Sequence, residues 1–204
     1  MKYPGILIFS LLFLWTASCS SEVNKEGVPE AITAEATKAS ISTEGLAAVT
    51  IDTTASKLEF IGAKVTGDHL GGFKDWTATA WFKGDELQAV DLKIQTASIY
   101  TDKEKLTGHL QSPDFFDAAK YPEIRLIANQ VSGTAPNLEV SGDLSMHGVT
   151  RSVRFPVSLQ KKGAQWLATS EFTINRFDWG LQYPGKPDDL IRNKVLIRFS
   201  LSGK

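Results

Sequence analysis

From Leu46 onward, apolar and polar residues alternate with a period of two, the pattern of strands covered on one face only. Leu58 and Phe60 alternate with Lys57 and Glu59. Trp76, Ala78, Ala80 and Phe82 alternate with Asp75, Thr77, Thr79 and Trp81, and Val90, Leu92 and Ile94 with Asp91, Lys93 and Gln95. The same alternation returns over residues 124–128, 138–146, 153–159, 166–174 and 195–201, with a short piece at Val49 and Ile51. This predicts about nine strands, joined at turn signals such as Lys83-Gly84-Asp85, Ser132-Gly133 and Lys162-Gly163.

One stretch interrupts the strands. In residues 101–126, Thr101 and Glu104 have the spacing of a capping box, and Ser112-Pro113 reads as an N-cap followed by proline at the first helical position, so two short helical pieces are predicted. Leu106, His109 and Leu110 share one side of the first piece. Phe115 and Phe116 are adjacent on the second and cannot both face one core from a helix, so one of them is expected to plug something. Tyr121-Pro122 then forces extended backbone and returns the chain to a strand.

Antiparallel strands in long succession fold as a sandwich or a closed barrel. Short hairpin connections favour the barrel, all-β and up-and-down, of about eight to nine strands with a short helical insert and closed by its last strand. Small residues on the apolar faces (Ala78, Ala80, Ala128, Gly142, Ala168) lie among Phe and Trp. They admit two readings, an unfilled apolar lumen for one elongated ligand or a core packed by small-large alternation.

The composition narrows the function classes. With 22 basic and 23 acidic residues among 204, the chain lacks the electrostatic footprint of a nucleic-acid binder. A single cysteine excludes an intrachain disulfide and a cysteine-based metal site. Residues 1–18 read as a signal peptide: Lys2, an apolar run from Ile6 to Trp15 too short to span a bilayer, then Thr16, Ala17 and Ser18. The sequence TASC around Cys19 resembles a bacterial lipobox. That implies a lipidated Cys19 and an exported protein in the bacterial cell envelope, anchored in the outer membrane and facing the periplasm. Residues 19–45 are rich in Ala, Thr, Ser, Glu and Lys and read as the lipidated cysteine with a flexible tether, of roughly 25 to 30 Å reach. The folded domain is expected over residues 46–204.

Residues 105–126 (KLTGHLQSPDFFDAAKYPEIRL), 144–153 (LSMHGVTRSV) and 172–181 (FTINRFDWGL) resemble the most recognisable blocks of the YceI-like family, and SKLEF (56–60) with KVTGDHLG (64–71) is similar to its first strands. Many members carry an Arg-Asp pair before the His-Leu step, where this chain has Thr107-Gly108. The resemblance implies a lipocalin-like barrel whose elongated pocket binds a polyisoprenoid, quinone or similar long-chain lipid. A homodimer and a monomer both remain open.

The lining candidates are Phe60, Trp76, Phe82, Leu92, Ile94, Phe115, Phe116, Leu144, Phe155, Phe172 and Phe199. At the mouth, His109 is expected to bridge local structure with Asp114, and Arg176, Asp178 and Trp179 form either a surface ion pair stacked on the indole or a contact for a ligand's head. His69, in a glycine-rich turn, His109, and His147, in a hairpin loop, are about 40 residues apart and lack a metal-ligand spacing, so a metal site would need the fold to gather them. No P-loop, dinucleotide fingerprint or nucleophile triad stands out, and neither a cofactor nor catalysis is expected. A lipid-binding module in the envelope is favoured. The alternative is a structural or stress lipoprotein with a packed barrel and partner-binding loops.

Overall fold

The computed structural model describes residues 21–204; the stretch read as a signal peptide, residues 1–18, and the expected lipidation site Cys19 lie outside them. In chain order the strands are β1 (Ile32–Glu35), β2 (Ala47–Thr50), β3 (Lys57–Lys64), β4 (Gly67–Phe73), β5 (Trp76–Lys83), β6 (Glu86–Gln95) and β7 (Ile99–Thr101). The helix α1 (Glu104–Gln111) follows. Then come β8 (Glu123–Thr134), β9 (Asn137–Met146), β10 (Val149–Lys162), β11 (Gln165–Asn175), β12 (Gly185–Lys186) and β13 (Asp189–Gly203).

The nine long strands run β5-β6-β8-β9-β10-β11-β13-β3-β4, each antiparallel to its neighbour, so the last strand returns to the first long one as in an up-and-down barrel. The curled sheet brings the two ends of this row, β4 and β5, toward each other. β7 extends β4 and β2 extends β5, and Asp52 N–H donates to the Ser202 carbonyl at 2.8 Å across one end of the seam. Alternation sets the faces: in β5, Trp76, Ala78, Ala80 and Phe82 are buried while Thr77 and Lys83 are exposed. A register shift opposite Trp81 and Phe82 turns both Leu87 and Val90 inward on β6, a bulge the alternation does not disclose.

Several local expectations are corrected. The glycine-rich stretch holding His69 is strand β4. Gly71 lies opposite Phe60 and Gly72 beside Tyr100, where a Cβ would collide with those rings and with backbone carbonyls, so these glycines mark close approach inside a sheet. The β8–β9 turn lies at Ala135-Pro136, beyond Ser132-Gly133. There is one helix in place of two. Lys103 is the N-cap of α1 without a side-chain bond; the Thr101 hydroxyl accepts from Lys103 N–H at 3.2 Å and pairs with Thr107 Oγ1 at 3.0 Å. Ser112 closes α1, its hydroxyl donating to the His109 carbonyl at 2.7 Å, and the chain continues in turns.

Residues 21–39 are laid along the barrel wall, unlike the flexible tether expected there. Val23 is buried against Ile61, Ala63 and Leu196 on the outside of β3 and β13, and β1 pairs with β10 from Ile32↔Arg154 to Glu35↔Arg151. Beyond β1, buried Asp143 on β9 accepts from the amides of Thr37 and Ala39 at 2.9 Å each and from the Thr37 hydroxyl at 3.0 Å. The segment lacks the apolar content to fold alone; the outer wall supplies the apolar partners.

Burial works to raise the Asp143 pKa, but the Thr37 and Ala39 amides and the Thr37 hydroxyl outweigh it and hold the value below that of an ordinary aspartate. A lowered folded value means that the tie is complete above the unfolded value of about 3.9 and is lost as pH falls through the folded one. Asp143→Ala is expected to cost about 1–2 kcal/mol at neutral pH and to open residues 36–42 to protease. Limited proteolysis with mass mapping checks this, and cleavage elsewhere first would contradict the strap.

Candidate functional site

One end of the barrel gathers the β3–β4 and β9–β10 tips, α1 with the turns after it, and the segment from Arg176 to β13. Beneath them lies a chamber of about 690 Å³. Its wall is apolar: Leu58 and Phe60 from β3, Leu92 and Ile94 from β6, Ile124 and Leu126 from β8, Leu144 and Met146 from β9, Val153 and Phe155 from β10, Phe172 and Ile174 from β11, and Val195, Ile197 and Phe199 from β13. Leu106 and Leu110 of α1 cover it, with Phe115 and Phe116. Leu58, Phe60, Leu92, Leu126, Leu144, Val195, Ile197 and Phe199 point inward yet remain only half-buried, because they face open volume.

Both adjacent phenylalanines line the chamber, against the expectation for a helix. A turn carries them, with Ser112 O accepting from Phe115 N–H at 3.0 Å and Asp117 N–H at 2.9 Å, which frees them from the 100° rotation between helical neighbours. Phe115 also meets His109 and Tyr183, with ring centres 5.6 and 5.7 Å away.

A second, smaller cavity of about 90 Å³ lies toward the other end, lined by Val49, Ile51, Ala78, Ala80, Phe82, Leu87, Trp166, Ala168, Leu201 and neighbours. There Phe82 and Trp166 stack with centres 4.3 Å apart, filling the space left by the small residues around them. Five side chains face both cavities and form a waist: Leu58, Leu92, Leu126, Phe155 and Phe199. Leu92 lies opposite Leu126 on one wall and Phe199 opposite Leu58 on another, so the waist is one layer across the barrel.

Two lining candidates and one mouth candidate lie elsewhere. Phe82 belongs to the stacked end. Trp76 is buried in the core off the chamber wall, and Trp179 is fully buried, its Nε1–H donating to the Leu144 carbonyl at 2.9 Å. Arg176 lines the chamber but makes no ion pair with Asp178, which accepts instead from the Thr33 hydroxyl at 2.8 Å. Arg176 is only 3% exposed. Its guanidinium donates to the carbonyls of Arg192 (3.1 Å), Tyr183 (2.8 Å) and Leu181, and lies over the rings of Phe115 and Phe177. Burial pushes its pKa down from the usual arginine value, though it stays charged at any physiological pH.

The histidines have separate partners. His69 lies 3.0 Å from Asp102 and His109 3.6 Å from Asp114, both at the chamber rim, while His147 Nδ1–H donates to the Trp179 carbonyl at 3.1 Å. Lys64 pairs with Asp189, which Lys64 and Thr66 hold below the usual carboxylate range. Among the described residues, Lys103, Lys105 and Arg192 line the rim without a carboxylate within 4.0 Å. Among the described residues Glu59 is the one carboxylate on the chamber wall, and it pairs with Arg198.

A family model described as a YceI-like domain matches residues 49–202. UPF0312 proteins of Pseudomonas syringae pv. tomato and of Pseudomonas putida are 33% and 32% identical over 126 residues. The chain spans 65% of their length, using 56% of its own. Among solved structures, Burkholderia cenocepacia BcnA is similar at a TM-score of 0.70 and 20% identity, covering 76% of this chain and 99% of that one. A polyisoprenoid-binding domain from Saccharophagus degradans gives 0.62 and 20%, covering 78% and 98%. Campylobacter jejuni YCEI gives 0.52 and 23%, covering 63% and 82%.

Proposed function

Because the chain belongs to the YceI-like domain family, we propose that it binds one long-chain apolar amphiphile, of the polyisoprenoid or quinone class, in the chamber beneath α1. The observation that carries this reading is the chamber itself: about 690 Å³, walled by inward side chains that a packed core would have covered. Each methylene taken from water into such a wall is worth about 0.8 kcal/mol, so a long hydrocarbon needs few polar contacts to be held. The Saccharophagus neighbour, a polyisoprenoid-binding domain of the same fold, supports this ligand class.

The role we propose is sequestration or transport of the lipid in the bacterial cell envelope, with the protein exported and held at the outer membrane through lipidated Cys19. We read it as a binding protein rather than an enzyme. Among the described residues the chamber lining is almost wholly apolar, and the rim histidines are each occupied by a neighbouring aspartate. A barrel packed throughout, with partner-binding loops, fits only the end where Phe82 and Trp166 stack.

Native mass spectrometry of the protein purified mildly from bacterial membranes, followed by organic extraction, is expected to find one lipid per chain. Val195→Trp, which projects an indole into the chamber, is expected to lose it while keeping the circular dichroism of the barrel. Clean lipid-free protein that also takes up no added polyprenol or quinone would remove the lipid-binding reading.

A further inference from the structure

Ser21 and Glu22 lie at the chamber mouth. The Ser21 hydroxyl donates to Asp68 Oδ1 at 2.7 Å and Glu22 N–H to Asp68 Oδ2 at 2.8 Å. Asp68 sits at the start of β4, one pairing step from Lys64↔Gly67 at the barrel tip and next to His69; Lys64 and His69 both line the chamber. Immediately before Ser21 the sequence carries Cys19 and, further back, the apolar run from Ile6 to Trp15.

The same tip exposes large apolar side chains. Val65, between β3 and β4, is 66% exposed and Leu190, at the start of β13, is 51% exposed; Val65 N–H donates to the Leu190 carbonyl at 3.2 Å, so they form one patch. Phe177, in the turn that follows β11 at this end, is 41% exposed. At the same end Lys103, Lys105 and Arg192 line the chamber mouth, long side chains able to bury their stems and keep their charges in water. Acidic groups are present too: Asp188 and Glu104 are exposed and Asp189 is held by Lys64, so the rim is of mixed sign and apolar contact is the main attraction. Ile32 and Leu70, also exposed, stand on the side wall in β1 and β4; among the described residues, the far end, with tips at Gly84 and Gly163, carries none of the exposed large apolar side chains.

From these observations we propose that the mouth docks on the bilayer: the rim formed by Val65, Leu190 and Phe177 sits in the headgroup layer, and the chamber opens toward the membrane that holds the anchor. The docking rests on the reading of Cys19 as the membrane anchor. With Ser21 pinned at Asp68, only one residue separates that cysteine from the rim, so the anchor pulls the mouth toward the lipid. A hydrocarbon then passes from bilayer to chamber without crossing water, where its exposed surface would oppose transfer.

The test uses the full chain in bacterial membranes with a benzophenone amino acid placed at Val65, at Leu190 or, as the control, at Gly163. Irradiation is expected to attach phospholipid at Val65 and Leu190, at least tenfold above Gly163, and Asp68→Ala is expected to reduce that ratio by unpinning Ser21. Equal adducts at both ends, or more at Gly163, in membrane-bound protein overturn the docking and leave the anchor standing. Recovery of the full chain in the soluble fraction removes the anchor and the docking together.

Discussion

Arg176→Met is expected to lower the stability of the domain by about 3–5 kcal/mol, the largest loss foreseen for any single side chain here. Its guanidinium is buried and gathers backbone carbonyls from Leu181, Tyr183 and Arg192, so the segment leading into β13 closes around one charged fork. Methionine fills the volume but donates nothing, and the carbonyls are left to find water. For a domain of this size the melting temperature is expected to fall by on the order of 10 °C. Arg176→Lys keeps the charge without the planar fork and is expected to recover less than half of the loss. A urea titration read by tryptophan fluorescence checks both. A loss below about 1 kcal/mol for Arg176→Met would mean that the carbonyls are satisfied by solvent and that the fork is dispensable.

This residue marks where sequence reasoning reaches its limit. Next to Asp178 it reads as half of a surface ion pair or as a contact for a ligand's head; the fold does bring it to the chamber, but carries Asp178 to Thr33 and turns Arg176 onto backbone carbonyls that leave no trace in residue identity. Period-two alternation was enough to orient eight of the nine long strands, because an apolar wall repeats the same signal along each of them. Strand β4 escaped it because Gly71 and Gly72 carry no side chain to alternate. The strap over residues 21–39 escaped for another reason: its partners Ile61, Ala63 and Leu196 lie on the outer face, where an apolar residue among polar neighbours was the available signal. The lumen was legible only in part. Small residues at Ala78, Ala80 and Ala168 suggested where space would remain, but Phe82 and Trp166 stack into that end, and the open volume lies where large side chains line a wall that α1 covers without filling.

Phe199→Leu is expected to join the two cavities and lengthen the hydrocarbon the protein accepts. Phe199 is the ring to remove because it meets Phe155 edge-on at 6.4 Å, whereas Phe155 is also stacked on Phe172 at 4.5 Å and its loss would disturb the main chamber. At about 30 Å³ for a water-sized group, the smaller cavity of about 90 Å³ adds room for about three methylenes. With about fourfold in affinity for each buried methylene, the longest chains are expected to gain on the order of 50-fold. The measurement is displacement of an environment-sensitive neutral dye by n-alkyl carboxylates lengthened stepwise. The unsubstituted protein's affinity is expected to rise and then level off, and the Phe199→Leu plateau to move to longer chains. Phe116→Leu, at the mouth, is expected to change affinity at every length without moving the plateau. Filling the small cavity with Ala168→Leu in the Phe199→Leu background should return the plateau to its original place. A plateau unmoved in a stable Phe199→Leu protein would show that the waist does not measure the chain, and the length limit would then belong to the lid formed by α1 and the two phenylalanines after it.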